Sequence, residues 1–257
     1  MKLIALDATE AACSAALLDG DQIIQRCITA ARQHNEHLLP MLDTLLAEAS
    51  LSLKQLDGIA FACGPGSFTG VRIAAAVTQG IALAHDLPVV PVSSLRALAQ
   101  GVFRQQGANH ILAGFDARMQ EIYWGAYTLD PQGFVQLCND EHLSSPSELA
   151  ALFKGSDFIK TYQDNKSDYQ PVHTTNWVGA GSAWVSYAAS LQTELNLHTN
   201  YPTMITQAYD VAYLAADRLA DNDYVSPEQA LPIYLRNNVA KKSYKLNKAL
   251  AGFQVGQ

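Results

Sequence analysis

Hydrophobic and polar residues alternate in short runs at the start of the chain, a pattern typical of half-buried strands. Three runs predict three strands, and Asp19-Gly20-Asp21 between the second and third favours a hairpin turn. Leucines at helical spacing then predict an amphipathic helix around 38–49, followed by strand, helix, strand and helix. The predicted elements of this first half cover residues 3–7, 13–18, 22–28, 38–49, 59–63, 69–85, 89–92 and 94–106.

A similar order of elements returns in the second half. Its predicted strands and helices cover residues 111–116, 121–128, 134–137, 145–153, 177–180, 182–195, 208–219 and 231–235. The first strand of each half ends in Asp, Ala and a polar residue, as Asp7-Ala8-Thr9 and Asp116-Ala117-Arg118. We therefore predict two related lobes, 1–106 and 107–257, the second with an inserted loop near 154–175 and a basic tail.

Composition places the chain among ordinary globular proteins, with 49% hydrophobic and 16% charged residues. No apolar run approaches the ~18 residues of a membrane span. The four cysteines are scattered, and the N-terminus lacks signal-peptide features, so we expect a cytoplasmic protein without disulfide or zinc. A net charge of −7 opposes broad binding to nucleic acids. The tail from Arg236 onward is basic and without acids, which leaves an RNA contact there open.

A glycine-rich segment from Cys63 to Ile73 joins a predicted strand to a helix of small residues. Its glycines allow a sharp turn and a close approach, so the segment suits either a phosphate seat or a tight structural corner. A P-loop is excluded, because Gly70 is followed by Val71 and Arg72 instead of Lys and Ser or Thr. The sequence leaves both interpretations of the turn open.

Histidines at 34 and 37 make an incomplete metal site, since neither an H-E-x-x-H pattern nor a clear third ligand is present. We predict no metal ligand and no catalytic residue in this chain.

Five motifs, in the same order and over nearly the whole chain, resemble the bacterial TsaB (YeaZ) family. The resemblance rests on Ile4-Ala5-Leu6-Asp7-Ala8-Thr9, His34-Asn35-Glu36-His37-Leu38-Leu39-Pro40, the 64–73 glycine segment, Asp116-Ala117-Arg118-Met119-Gln120-Glu121-Ile122-Tyr123-Trp124-Gly125 and Pro232-Ile233-Tyr234-Leu235-Arg236. It implies the duplicated α/β fold of actin, Hsp70 and sugar kinases (ASKHA), with two lobes of mixed sheets flanked by helices. Two departures are Ala74, where glycine is expected, and a longer insertion.

The resemblance implies a non-catalytic scaffold and activator subunit of a tRNA-modifying complex. That complex transfers a threonylcarbamoyl group to the adenosine 3′ of the tRNA anticodon. The implied partners are a catalytic TsaD-type paralogue and a TsaE-type ATPase, with a homodimer when the subunit is alone and tRNA only through the complex. No cofactor is required by the subunit itself, while ATP or ADP at the complex interface stays open, and no membrane is involved.

The resemblance also implies two sets of candidate site residues, one for pairing with a partner and one for binding a ligand. Pairing through helices of the first half implies an interface at Leu38, Leu42, Leu45, Gly70, Ala74, Val77 and Ile81, although the same faces suit burial against the sheet. Contacts to nucleotide or to a ligand at the interface are expected from Asp7, Thr9, Gly64, Gly66, Ser67, Arg72 and Arg118. Glu10 would repel phosphate, which counts against efficient phosphoryl transfer. The alternatives are a stand-alone ASKHA-type ATPase or kinase and, less favoured, a metallopeptidase.

Overall fold

Two mixed β-sheets, each flanked by helices, form the framework of the protein. The structure is a computed structural model that describes residues 1–29, 34–154 and 177–236. The predicted insertion at 154–175 and the basic tail thus lie outside the described residues, apart from Lys154 and Arg236. The α/β fold with two mixed sheets flanked by helices is confirmed.

The first sheet has the strand order β3-β2-β1-β4-β5. Strands β1 to β3 pair antiparallel, whereas β4 and β5 run parallel to β1. Strands β1, β2 and β4 are almost fully buried because helices cover both faces of the sheet, while β3 is an exposed edge. The elements of this half are β1 (Lys2–Asp7), β2 (Ala12–Asp19), β3 (Gln22–Thr29), α1 (His34–Glu48), β4 (Gly58–Gly64), α2 (Phe68–His85), β5 (Val89–Ser93) and α3 (Ser94–Gln106).

The second sheet repeats this plan with the order β11-β10-β6-β7-β8, and β9 pairs with β7. Its first strand, β6, is again antiparallel to the next strand and parallel to the strand after the helix. The helix predicted at 182–195 is divided into two short helices at Tyr187. The elements are β6 (His110–Asp116), β7 (Ile122–Leu129), β8 (Val135–Leu137), β9 (His142–Ser144), α4 (Pro146–Lys154), β10 (Val178–Ala180), α5 (Ala183–Ser186), α6 (Ala188–Glu194), β11 (Thr199–Tyr201) and α7 (Ala208–Ala220).

Helix α7 packs on the first sheet, which corrects the predicted lobe 107–257 for this part of the chain. Its apolar side, including Val211 and Leu214, is buried against a sheet face lined with small residues such as Ala5, Ala16 and Ala60. The alanines leave room for the helix to approach closely. Helices α1 and α2 cover the opposite face of the same sheet.

Residues 231–236, which we call the C-terminal strap, also return to the first half. They form no regular strand, but the Ile233 N–H donates to the Cys63 carbonyl at 2.8 Å. A Cβ on Gly64 would lie 2.6 Å from the Ile233 carbonyl oxygen, so this glycine permits the close crossing. Within the described ranges, no helix has the length and apolar character needed to span a membrane.

Candidate interaction site

The glycine turn between β4 and α2 docks against the backbone that follows β1. The Ser67 N–H donates to the Thr9 carbonyl at 2.7 Å. A Cβ on Gly70 would overlap the Ala8 carbonyl oxygen, and one on Gly66 would lie 2.5 Å from that of Thr9. The two glycines are therefore required for the close contact between the turn and the backbone at Ala8 and Thr9. This geometry favours the structural corner over the phosphate seat.

Asp7 lies at the end of β1 and is almost completely buried beside this corner. Its Oδ1 accepts from the Thr9 N–H at 3.0 Å and from the Thr9 hydroxyl at 2.6 Å. Its Oδ2 has no hydrogen-bond partner within the described part of the chain. Burial raises the pKa of Asp7 to about 6, against the lowering effect of the bonds from Thr9.

Glu10 reaches from the first half to the second. Its Oε2 accepts from the Thr206 N–H at 3.0 Å, and Oε1 from the Ser182 hydroxyl at 3.5 Å. Burial raises the pKa of Glu10 to about 7, and the nearby Asp7 adds to the rise. Sequence reasoning treated Glu10 only as a repulsive charge and missed this bridge, because its partners lie far along the chain.

A matching turn follows β6 in the second half. The Asp116 Oδ1 accepts from the Arg118 N–H at 2.8 Å, and the Arg118 guanidinium pairs with Oδ2 at 3.1 Å. Burial alone would raise the pKa of Asp116, but hydrogen bonds from Arg118, Ser186 and Tyr187 outweigh it and hold the pKa below its usual value. This aspartate is therefore a largely buried but well-paired anion.

The same turn places three consecutive non-glycine residues in the left-handed region. Arg118, Met119 and Gln120 have φ of 62°, 57° and 63°. Each such residue costs on the order of 1–3 kcal/mol unless its surroundings hold it. The turn nevertheless displays Met119, which is 60% exposed, and the Arg118 side chain, which is 86% exposed. The residue types at these three positions do not predict a left-handed conformation.

Arg236 of the C-terminal strap holds the strained turn. Its Nη2 donates to the Ala117 carbonyl at 2.9 Å and pairs with the Glu121 carboxylate at 2.7 Å. Its Nη1 contacts the Met119 sulfur at 3.1 Å. A planar guanidinium can serve these acceptors together, which a lysine could not do. The strap therefore fixes the shape of the 117–121 turn.

The residues predicted to pair with a partner point inward. The structure buries all of them in the core under the first sheet except Val77, which is partly buried there: Leu38, Leu42, Leu45, Gly70, Ala74, Val77 and Ile81. Of the two alternatives that the sequence left open for these positions, this placement favours burial against the sheet, because α1 and α2 turn their larger apolar sides to it. A role for these positions in pairing stays a prediction without a contact to support it.

The outward side of α2 is also poor in polar groups. We call it the α2 face; it consists of Phe68, Arg72, Ala76, Gly80 and Leu83, spaced at three or four residues and all exposed. Phe68 and Leu83 at its two ends are 58% and 57% exposed. Only Arg72 among them carries a charge, so the face combines small and apolar residues on the surface of the protein.

Arg72 lies against two aromatic rings at the start of the α2 face. Its guanidinium carbon is 3.2 Å from the centre of the Phe68 ring and 5.3 Å from that of Tyr234 in the strap. Among the described residues it has no ion-pair partner. Of the predicted ligand residues, Asp7, Thr9 and Gly64 are buried near the corner, Gly66 is half-buried, and Ser67, Arg72 and Arg118 are exposed.

Metal binding finds no support in this arrangement. Over residues 1–29, 34–154 and 177–236, no group of three or more His, Cys, Asp or Glu side chains could hold a metal ion. His34 is buried and its Nδ1 lacks a hydrogen-bond partner in the same ranges. Burial lowers the pKa of His34 at the entrance of α1.

Comparisons with known proteins match nearly the whole chain. The family model "TsaD: tRNA N6-adenosine threonylcarbamoyltransferase" matches residues 28–244. The "tRNA threonylcarbamoyladenosine biosynthesis protein TsaB" of Escherichia coli K12 is 32% identical over 242 residues, covering 94% of this chain and 97% of that protein. Its Haemophilus influenzae counterpart is 35% identical over 243 residues, covering 94% and 96%. The solved structure "YeaZ from Pseudomonas aeruginosa" is 38% identical with a TM-score of 0.77, covering 91% and 99%.

Proposed function

The chain belongs to the TsaB (YeaZ) family, and on this basis we propose that it serves tRNA threonylcarbamoyladenosine biosynthesis as a non-catalytic scaffold. It pairs with a catalytic TsaD-type paralogue and holds it in an active arrangement. The transfer of the threonylcarbamoyl group takes place on the partner, and this chain contributes surface and rigidity.

The α2 face is the observation that carries this proposal. It exposes Phe68 and Leu83 with Ala76 and Gly80 between them. Small residues let a second helix approach closely, and apolar side chains at both ends favour a partner that removes them from water. The face is thus suited to pairing helix against helix.

The interior of the site supports a scaffold over an enzyme. The Ser67 N–H, which a phosphate would need, is already bonded to Thr9. Asp7 and Glu10 place two carboxyl groups where the two halves meet. Phosphate oxygens would be repelled there, so efficient phosphoryl transfer is disfavoured.

The remaining partners follow from the same proposal. A second copy of the chain would use the α2 face in a homodimer, which then competes with the TsaD-type subunit for one surface. A TsaE-type ATPase joins the pair, tRNA binds through the complex, and any ATP or ADP lies at the interface between subunits. The chain alone requires no cofactor.

Rescue of the modified nucleoside tests the proposal. Threonylcarbamoyladenosine in bulk tRNA is measured by mass spectrometry after depletion of this protein and rescue with variants that fold normally. We expect wild type to restore it and Ala76→Glu, which puts a charge in the middle of the α2 face, to fail. The matched control is Ala189→Glu on an exposed position of α6, which should rescue. An unchanged nucleoside level after verified depletion would contradict the proposed pathway.

A stand-alone ATPase is the second candidate, because the buried Oδ2 of Asp7 has no partner among the described residues. In this case the purified chain would hydrolyse ATP by itself, and Asp7→Asn would abolish the turnover. ATP turnover no higher than that of a no-protein control would remove this candidate.

A further inference from the structure

The C-terminal strap builds a surface of a different character next to the α2 face. We call it the strap patch; it consists of Phe68, Arg72, Arg118, Met119, Ile233 and Tyr234, all of them exposed. We propose that the strap patch binds a carboxylate-bearing segment of the TsaD-type partner. This inference rests on the proposed function and adds the chemistry of a second contact.

Three distant segments meet in the strap patch because the strap joins them. At one end, Ile233 is hydrogen-bonded to the strand before the glycine turn, and Tyr234 lies beside Phe68 with ring centres 6.1 Å apart. At the other end, Arg236 holds the turn that displays Arg118 and Met119. The patch is therefore a built surface, whose parts are ordered before a partner arrives.

Its charge favours an anionic partner. Arg72 stacks on Phe68, which leaves the edge of its guanidinium, where the N–H groups lie, without a carboxylate in the described chain. The two neighbouring acids are engaged, Asp116 with Arg118, Ser186 and Tyr187, and Glu121 with Arg236. An arginine already ordered by stacking loses little freedom when it binds a carboxylate through two parallel bonds.

The apolar part of the patch favours protein over nucleic acid. Met119 and Ile233 offer aliphatic surface that suits apolar side chains beside the carboxylate. Arg72 covers one face of the Phe68 ring, which reduces the aromatic surface on which the bases of a single-stranded RNA could stack. A net charge of −7 further opposes a polyanion.

Continuity with the α2 face identifies the partner. Phe68 and Arg72 belong to both surfaces, so a subunit that covers Ala76 and Gly80 reaches Arg72 one turn earlier on the same helix. The α2 face would bury apolar surface against the partner, and the strap patch would set the partner's orientation and select it by charge.

The test is calorimetric titration of the full chain with a purified TsaD-type protein at low and at high salt. We expect Arg72→Glu and Arg118→Glu each to weaken binding roughly tenfold or more at low salt and to reduce its salt dependence. Arg26→Glu makes the same charge change on the exposed β3 edge; it also breaks the surface ion pair of Arg26 with Glu48, but it should bind like wild type. Thermal unfolding confirms that each variant is folded.

The outcomes separate this inference from the proposed function. Failure of the wild-type chain to bind the TsaD-type protein would overturn both. If Ala76→Glu abolishes binding while Arg72→Glu and Arg118→Glu bind with wild-type affinity and salt dependence, only the strap patch is overturned. The same holds if these two variants lose affinity for tRNA alone, since the anion would then be nucleic acid.

Discussion

The two turns that follow β1 and β6 begin alike and end differently. In each, an aspartate at the end of the first strand accepts a hydrogen bond from the N–H two residues later, at 3.0 Å for Asp7 and 2.8 Å for Asp116. The first turn is then sealed under the glycine corner, with Thr9 buried. The second is open, and Arg118 extends into solvent.

This difference shows one scaffold used for two purposes. Burial raises the pKa of Asp7, while hydrogen bonds lower that of Asp116. Asp7 is buried and its raised pKa allows partial protonation, which suits a role in packing. Asp116 is a paired anion beside the exposed Arg118, which suits contact with other molecules. The two halves therefore contain corresponding turns in different environments, a packed turn after β1 and a displayed turn after β6.

Breaking the packed turn should have the largest effect. In Gly70→Ala the new Cβ would overlap the Ala8 carbonyl oxygen, so backbone must move. We expect a loss of about 3 kcal/mol or more in the free energy of unfolding, measured by denaturant titration. Gly80→Ala on the same helix is the control, since no atom lies within 4 Å of its Cβ. It should be neutral or stabilising by up to about 1 kcal/mol. Equal effects of the two substitutions would contradict the docking of the corner.

The bridge from the packed turn to the second half should respond to pH. The pKa of Glu10 rises from 4.5 to about 7 on folding, so the folded state binds its proton more tightly. Stability from this group is complete below the unfolded pKa and is lost as pH rises through about 7, by about 3 kcal/mol. Denaturant titrations between about pH 5 and 8 measure this slope.

Glu10→Gln should make that slope shallower, most clearly above about pH 6, because a neutral amide has no proton to release and only the raised pKa of Asp7, about 6, still contributes. The exposed Glu36 on α1 provides the control, and Glu36→Gln should keep the wild-type profile. A Glu10→Gln profile that stays as steep as that of wild type would show that another group is responsible.

Removing one hydrogen bond from each turn should give unequal losses. Thr9→Ala deprives the buried Asp7 of its hydroxyl donor and should cost about 1–3 kcal/mol. Arg118→Ala removes an exposed ion pair and should cost less than about 1 kcal/mol. Thermal or denaturant unfolding measures both, and Thr9→Ser should recover part of the loss. A larger loss of unfolding free energy for Arg118→Ala than for Thr9→Ala would contradict the distinction between a packed and a displayed turn.

Relieving strain in the displayed turn should have the smallest effect. Gln120 is exposed with φ of 63°, a conformation that glycine adopts without penalty. Gln120→Gly should therefore raise the free energy of unfolding by up to about 1 kcal/mol in denaturant titrations. A clear destabilisation would mean that the left-handed turn is not strained.

Local signals in the sequence predicted the elements well. The Ser145-Pro146-Ser147-Glu148 segment forms the predicted capping box, with the Ser145 N–H bonded to the Glu148 carboxylate at 2.9 Å and the Glu148 N–H to the Ser145 hydroxyl at 3.3 Å. Such contacts join residues that are only a few positions apart, so the local sequence is enough to predict them. The duplicated α/β order was predicted for the same reason.

The orientation of the helices could not be predicted in this way. On α2, the buried Ala74 and the exposed Ala76 are chemically alike, so the apolar pattern does not show which side meets the sheet. The partners of Glu10 (Ser182 and Thr206) and those of Arg236 (Ala117 and Glu121) lie far away in the sequence. Only the folded structure shows these contacts, or the return of α7 to the first sheet.

Hydrogen–deuterium exchange of the full chain, alone and mixed with a TsaD-type protein, tests the pairing surface most directly. We expect slower exchange on binding over Phe68–His85, where α2 carries the proposed interface, and over the 117–121 turn. The exposed β3 edge, Gln22–Thr29, should be unchanged. Slower exchange at β3 with no change on α2 would contradict pairing through the α2 face.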